Sequence, residues 1–290
     1  MDVYPKTEEE LYKIIRNAYE EGNKIQVLGD GKHVKKERAD FHVYTKRMNR
    51  FEIKGDKVVA EAGAEVEKIR KEASDMGLLL PTLYDGTVGG LLATNSPSPL
   101  TTKYGRPSDF AESLKMLTPY GGIRWKIFAG SMGLLGAISE AELRLFPKPQ
   151  RIMTYEKLNV IEDDVLKVIE NKPIVLLVDY DGKSFNIHAS FSEDVNLKGF
   201  SIDEGVPIVE VNNERDEVIV NGDNFSEFKK VVEVSKPAYA YWIYKSNVFM
   251  LYNANKEQLR TAGIKYYSRN EPKEVFIKLK RLLDGKNIFV

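Results

Sequence analysis

Gly86-Thr87-Val88-Gly89-Gly90, then Ala93-Thr94-Asn95-Ser96, Tyr104-Gly105 and Gly130-Ser131-Met132-Gly133-Leu134-Leu135-Gly136, punctuate the stretch from Pro81 to Pro149. The last cluster runs directly into a strand-like segment at 137–146. Glycines set between apolar runs let a backbone approach a ligand closely and present unshielded N–H groups to it. A hydrophobic core does not need that spacing. The stretch therefore reads as the wall of a cofactor site.

Working upstream, Thr7-Glu8-Glu9-Glu10 has the form of a capping box, with Thr7 capping and Glu10 reaching back. Leu11, Ile14, Ile15 and Ala18 share one helical face, and Gly22 supplies the stop. A short strand at 24–28 leads into Gly29-Asp30-Gly31-Lys32-His33. A hairpin is expected at 51–61 and a second amphipathic helix at 64–76, with Val66, Ile69, Ala73 and Met76 on its apolar face. Gly29-Asp30-Gly31 is not a Rossmann fingerprint, because Val34 occupies the third glycine position. It is not a P-loop either: Gln26 stands at the first glycine, and His33 stands where Ser or Thr would meet magnesium. It is a plain turn, or a glycine turn that cradles a pyrophosphate outside those two folds. Three glycine sites, each at a strand end or helix start, suit a long anionic ligand such as a dinucleotide.

Downstream, a hairpin is expected at 113–128 around Pro119-Tyr120-Gly121-Gly122, then a short helix at 130–135 capped by Ser131. Pro147-Lys148-Pro149 marks a domain boundary, since prolines deny donors to sheet and helix. Beyond it glycine thins out. A β-α-β-β pattern spans 153–191 with Asp181-Gly182 as a turn, and further strands are expected at 206–211 and 217–220. A helix at 225–234, a hairpin at 238–252 and a closing helix at 274–283 complete an α+β second domain. Tyr239, Tyr241, Trp242 and Tyr244 put aromatic rings on both faces of one strand. Core packing accounts for one face, and a subunit interface or ligand lid for the other. His188 reads as a satisfied structural histidine.

The 290 residues carry 43 Lys+Arg and 43 Asp+Glu, so charge gives no reason to expect nucleic acid. The absence of cysteine excludes disulfides, thiolate metal sites and thiol nucleophiles, and three histidines supply a metal site poorly. No metal is expected. Neither a leader-like apolar region nor a membrane-spanning run is visible, so a cytoplasmic protein is expected.

The order Pro5…Thr7-Glu8-Glu9-Glu10, Leu28-Gly29-Asp30-Gly31-Lys32, Val59-Ala60-Glu61-Ala62-Gly63 and Gly77-Leu78-Leu79-Leu80-Pro81 resembles the FAD-linked oxidases of the vanillyl-alcohol oxidase and p-cresol methylhydroxylase type. Thr87-Val88-Gly89-Gly90…Thr94-Asn95, Tyr104-Gly105, Gly130-Ser131-x-Gly133-x-x-Gly136-Ala137-Ile138 and the tail at 279–288 continue the series. The resemblance implies a two-part FAD-binding PCMH-type domain over 1–148, an antiparallel-sheet α+β cap over 149–270, and a C-terminal helix over 271–290 that returns to the first domain. It implies that Gly29, Asp30, Gly31, Lys32 and His33 wrap the pyrophosphate, and that Thr87, Gly89, Gly90, Thr94 and Asn95 run beside diphosphate and flavin. Ser131, Gly133, Gly136 and Ile138 would complete the site through backbone contacts. Family members with covalent flavin place a histidine directly after the glycines. Here Lys32 holds that place, so FAD is expected to be non-covalent.

Several positions depart from the family pattern. Leu28 replaces an arginine, Asp30 puts a negative charge near the expected phosphate, Ser98 stands at a usual glycine, and the span from Gly122 to Gly130 is short. No catalytic residue is identified. The chain is similar to the smaller FAD-domain subunit of glycolate oxidase (D-2-hydroxyacid dehydrogenase) complexes. That similarity implies an FAD-binding oxidoreductase or subunit oxidising a small 2-hydroxyacid, with a larger catalytic FAD subunit and an iron–sulfur subunit as partners. Two alternatives stand beside it: a degenerate flavodomain serving as a structural subunit, and the FAD subunit of a molybdenum hydroxylase.

Overall fold

The computed structural model describes residues 1–31, 36–207, 216–268 and 273–290. The chain divides into two compact units. One comprises Met1–Ser96, Arg106–Lys148 and Pro272–Val290; the other comprises Pro97–Gly105 and Pro149–Glu271.

The first unit opens with β1 (Asp2–Val3), α1 (Glu8–Glu21), β2 (Ile25–Leu28) and β3 (Phe41–Tyr44). The Thr7 hydroxyl accepts the Glu10 amide at 3.3 Å, a cap worth about 1 kcal/mol. Glu10 reaches one residue beyond the capping-box partner, accepting the Lys6 amide at 2.7 Å. Gly22 ends α1 in the left-handed region at φ 76°. Leu11, Ile15 and Ala18 bury their face against Ile25 and Val43 of the parallel sheet β1-β3-β2, and Leu117, Ala137, Ile288 and Phe289 complete this small core.

Next come β4 (Phe51–Lys54), β5 (Lys57–Glu61), α2 (Val66–Asp75), β6 (Leu78–Leu79) and α3 (Val88–Thr94). They are followed by α4 (Thr101–Tyr104), α5 (Pro107–Phe110), β7 (Ala111–Thr118), β8 (Gly121–Arg124), β9 (Ala137–Arg144) and β10 (Phe146–Pro147). An antiparallel sheet runs β4-β5-β9-β7-β8. Val66, Ile69 and Ala73 of α2 and Val88, Leu91 and Leu92 of α3 form the main core with Val58, Ala60, Leu114, Ala141 and Leu143 of that sheet. β7 and β9 serve both cores: Leu117 and Ala137 belong to the small one, Met116 and Ile138 to the large one. Burial on both faces explains their faint polar alternation.

Three local expectations are corrected. Met76 lies at the C-cap of α2, beyond its last helical turn, and is 54% exposed rather than on the buried face. The hairpin turns at Pro119-Tyr120, with Gly121 and Gly122 already paired in β8. Residues 130–135 form consecutive turns rather than a helix, because Met132 and Gly133 adopt left-handed φ values of 54° and 82°.

The second unit contains α4 and then β11 (Met153–Lys157), α6 (Glu162–Glu170), β12 (Val175–Tyr180), β13 (Phe185–Phe191) and β14 (Ser201–Glu204). It continues with β15 (Glu217–Asn221), α7 (Phe225–Ser235), β16 (Tyr239–Ile243), β17 (Val248–Tyr252), α8 (Lys256–Thr261) and β18 (Tyr266–Tyr267). Among the described residues its strands form one antiparallel sheet, β14-β11-β13-β12-β16-β17-β15-β18. One face packs Leu176, Val178, Ile187, Ala189, Trp242, Phe249 and Leu251 against Val165 and Val168 of α6 and Phe228 and Val232 of α7. The Thr102 hydroxyl accepts the Leu176 amide at 2.9 Å, which ties α4 to this sheet. β14 was not anticipated from sequence, and the strand expected at 206–211 lies mostly outside the described residues. The closing helix, α9 (Glu274–Leu283), belongs to the first unit, with Phe276 in its main core. Among the described residues no helix is long and apolar enough to cross a membrane.

Candidate functional site

The end of β2 and the start of α3 approach each other so closely that only a glycine fits between them. A Cβ on Gly29 would stand 2.2 Å from the Thr87 hydroxyl oxygen. That hydroxyl cannot swing away freely, because it caps α3 by accepting the Gly90 amide at 3.3 Å. Beside this contact opens a cleft. Gln26, Val27, Leu28 and Gly29 form one wall, with Thr45 and Ala62 next to them. Gly89, Gly90, Ala93 and Thr94 of α3 form a second wall; Met132, Gly133, Gly136 and Ile138 form a third, and Val290 closes it.

Of the residues the resemblance pointed to, Gly29, Gly89, Gly90, Thr94, Gly133, Gly136 and Ile138 come together in this cleft. Asp30 and Gly31 follow Gly29 directly without lining it, and Lys32 and His33 lie outside the described residues. Thr87 is buried and serves as the α3 cap, and Ser131 is buried at 1% exposure. Asn95 is committed elsewhere. Its side-chain amide donates to the Ser108 hydroxyl at 3.1 Å, and its carbonyl oxygen accepts the Ser108 amide at 2.9 Å.

The amides at the start of α3 are also committed, contrary to the expectation of free N–H groups there. Val88 N–H donates to Ala64 O at 2.9 Å and Gly89 N–H to Ala62 O at 2.8 Å, while Gly90 N–H serves the cap. Gly89 and Gly90 therefore contribute a thin wall rather than anion donors. The Thr94 hydroxyl donates back to Gly90 O and Leu91 O, so a ligand group meeting it must itself donate. None of the described lining side chains is charged. Sequence reasoning missed Gln26, Val27, Leu28, Thr45, Ala62, Ala93, Met132 and Val290. The Ala62-Gly63 pair carried one usable clue, since a Cβ on Gly63 would stand 2.0 Å from Thr45 O and only glycine permits that approach.

A second cluster lies in the second unit, on the face of the sheet opposite its core. His188 Nδ1 is 2.6 Å from Glu156 Oε1, and its Nε2 is 3.8 Å from Asp179 Oδ1. Burial disfavours the imidazolium. The Asp179 and Glu156 carboxylates outweigh burial, so the group is held above its ordinary value. The two ring nitrogens face different carboxylates and the three groups do not converge; among the described residues no such cluster is arranged to hold a metal ion. On the same face Tyr239 donates to Asp179 at 3.4 Å and stacks on Tyr252, with ring centroids 6.0 Å apart.

Residues 1–125 match the family model described as FAD binding domain. Among curated proteins, an alkyldihydroxyacetonephosphate synthase of Dictyostelium discoideum is 30% identical over 180 residues, which is 53% of this chain and 30% of that protein. A D-lactate dehydrogenase of Archaeoglobus fulgidus is 27% identical over 170 residues, 50% of this chain and 38% of that protein. The matches thus span about a third of the length of these curated relatives. A solved structure of alkyldihydroxyacetonephosphate synthase superposes on 99% of this chain and 76% of its own, with a TM-score of 0.71 at 16% identity, a likeness of fold.

Proposed function

With an FAD binding domain over residues 1–125 as the premise, we propose that the chain is an FAD-dependent oxidoreductase, or a subunit of one, that carries its cofactor non-covalently in the glycine-walled cleft. The observation that carries this reading is the cleft itself: residues from all three parts of the sequence series meet around one cavity whose described lining side chains are uncharged. The close approach at Gly29 and the thin wall at Gly89 and Gly90 leave room for a ligand backbone. Gln26, Thr45 and Thr94 supply the polar contacts, and Val27, Ile138 and Met132 exclude water. Bound FAD would supply two-electron redox chemistry.

The finer reading is oxidation of a small 2-hydroxyacid in company with a larger catalytic FAD subunit and an iron–sulfur subunit, in the cytoplasm. Two observations support it. The curated relatives include a D-lactate dehydrogenase. In the second unit, His188 is engaged on both sides by carboxylates that favour its protonated form, which suits it poorly to take a substrate proton.

The test is the absorption spectrum of the purified chain after incubation with FAD and dialysis. The expected result is a retained flavin spectrum, with the flavin released on denaturation. A chain that stays colourless refutes the cofactor assignment. Turnover of D-lactate with an artificial electron acceptor by the isolated, FAD-loaded chain refutes the partner assignment alone.

A further inference from the structure

One side chain far in sequence from the glycine motifs joins the last of them to the C-terminal tail. Lys280 of α9 is 16% exposed, and its ammonium reaches three acceptors: Leu134 O at 3.1 Å, Asp284 Oδ2 at 3.0 Å and Phe289 O at 2.5 Å. An ammonium has three donors. Leu134 belongs to the run of turns in which Met132 and Gly133 line the cleft. Phe289 precedes Val290, which closes the cleft. Asp284, fully buried, holds the tail from the other side: its carboxylate accepts the Ile288 amide at 2.8 Å and the Phe289 amide at 3.0 Å. The tail so fixed runs parallel beside β2. Ile25 N–H donates to Ile288 O at 2.7 Å, and Val290 N–H donates to Ile25 O at 3.0 Å.

From this geometry we propose that Lys280, backed by Asp284, is a positioning residue for the cofactor cleft, holding the Met132-Gly133 wall and the Val290 wall in fixed register on either side of the ligand. The proposal rests on the FAD reading of that cleft and adds to it a determinant of cofactor affinity lying outside every glycine motif. Lys280 touches neither the cleft nor the ligand and acts through the two walls. Apart from Met132, both walls present backbone and small apolar surface, so little side chain is available to readjust if they drift apart. A loss of register therefore appears as lost affinity.

The test compares the native chain, Lys280→Met, Lys280→Arg and Val290→Gly. Each is titrated with FAD by flavin fluorescence, well below the melting temperature of its own FAD-free form. The native chain is expected to bind. Lys280→Met should bind about tenfold more weakly, with faster amide exchange at Ile25 and Val290, and Lys280→Arg should recover most of the loss because it keeps charge and donors. Val290→Gly leaves all three Lys280 bonds in place and should still weaken binding; it carries the test if Lys280→Met does not fold. A native chain that does not bind FAD overturns both the cofactor reading and this proposal. Native binding with unchanged affinity in Lys280→Met, or an equal loss in the Met and Arg variants, overturns this proposal alone.

Discussion

At the scale of single residues, the chain spends its polar groups on building the cleft rather than on meeting a ligand. Gly29 is the sharpest case. Substitution with alanine must displace the Thr87 hydroxyl from the start of α3, and Gly29→Ala should cost about 1–3 kcal/mol, read from denaturant unfolding. In a Thr87→Ala background the same change should cost markedly less, because its nearest obstacle is gone, and the coupling can be measured as a double-mutant cycle. His188 gives a pH prediction. Its folded-state pKa is raised, so its contribution to stability is fully present below the ordinary imidazole value and is lost as pH rises through the raised one. Across that window the native chain should lose stability relative to His188→Gln. If both variants follow the same pH dependence, the charged clamp between Glu156 and Asp179 contributes nothing. Local sequence pattern carried no sign of this clamp, because Glu156 and Asp179 approach His188 only through strand register: Glu156 lies opposite His188, and Asp179 lies two residues beyond Leu177, which faces His188 on the neighbouring strand.

At the scale of elements, α1 was legible because cap, apolar face and stop all agree locally: Thr7, then Leu11, Ile15 and Ala18, then Gly22. The second unit's hairpins were legible for the same reason, with Asp181-Gly182 at one turn; the other turns at Tyr244-Lys245, where the Ser246 amide bonds to Ile243 O. α3 was not, since Gly89 and Gly90 are poor helix formers and tertiary contacts override them: the Val88 and Gly89 amides bond to Ala64 and Ala62. The turns at 130–135 were misread in the opposite direction, because nothing in Ser131-Met132-Gly133 declares that Met132 will take a left-handed φ. The joint between α3 and α5 is a further case of local polar commitment. Asn95→Ala should lower stability by about 2 kcal/mol, from two lost bonds to Ser108 and from the left-handed φ of 47° that asparagine tolerates better than alanine. Asn95→Gly, which removes the bonds but suits the conformation, should cost less. Comparing the two melting temperatures separates these contributions.

At the scale of the whole molecule, each unit has its own apolar core, and only the first contains the cleft. A ligand that binds the folded first unit alone stabilises it by mass action, about 2.7 kcal/mol at a hundredfold excess over its Kd. FAD should therefore raise protection against amide exchange in β2, α3 and β9, with little effect on β12, β13 and β16. Uniform protection across both units would show instead that they unfold as one. The broad architecture was legible from composition and punctuation, with glycine-rich segments before Pro147-Lys148-Pro149 and β-rich ones after. The excursion of residues 97–105 into the second unit was not, because the Thr102 hydroxyl that bonds both the amide and the carbonyl of Leu176 leaves no mark in the local pattern.

The return of α9 and its tail to the first unit also sets an order of events during synthesis. Domains generally fold as they emerge from the ribosome, N-terminal first. Here the α1 layer cannot close around Ile288 and Phe289, and the cleft cannot receive Val290, until the entire second unit has been translated. Until then the nascent first unit leaves an apolar seam beside β2 uncovered. Completion of the cleft is therefore the last act of assembly.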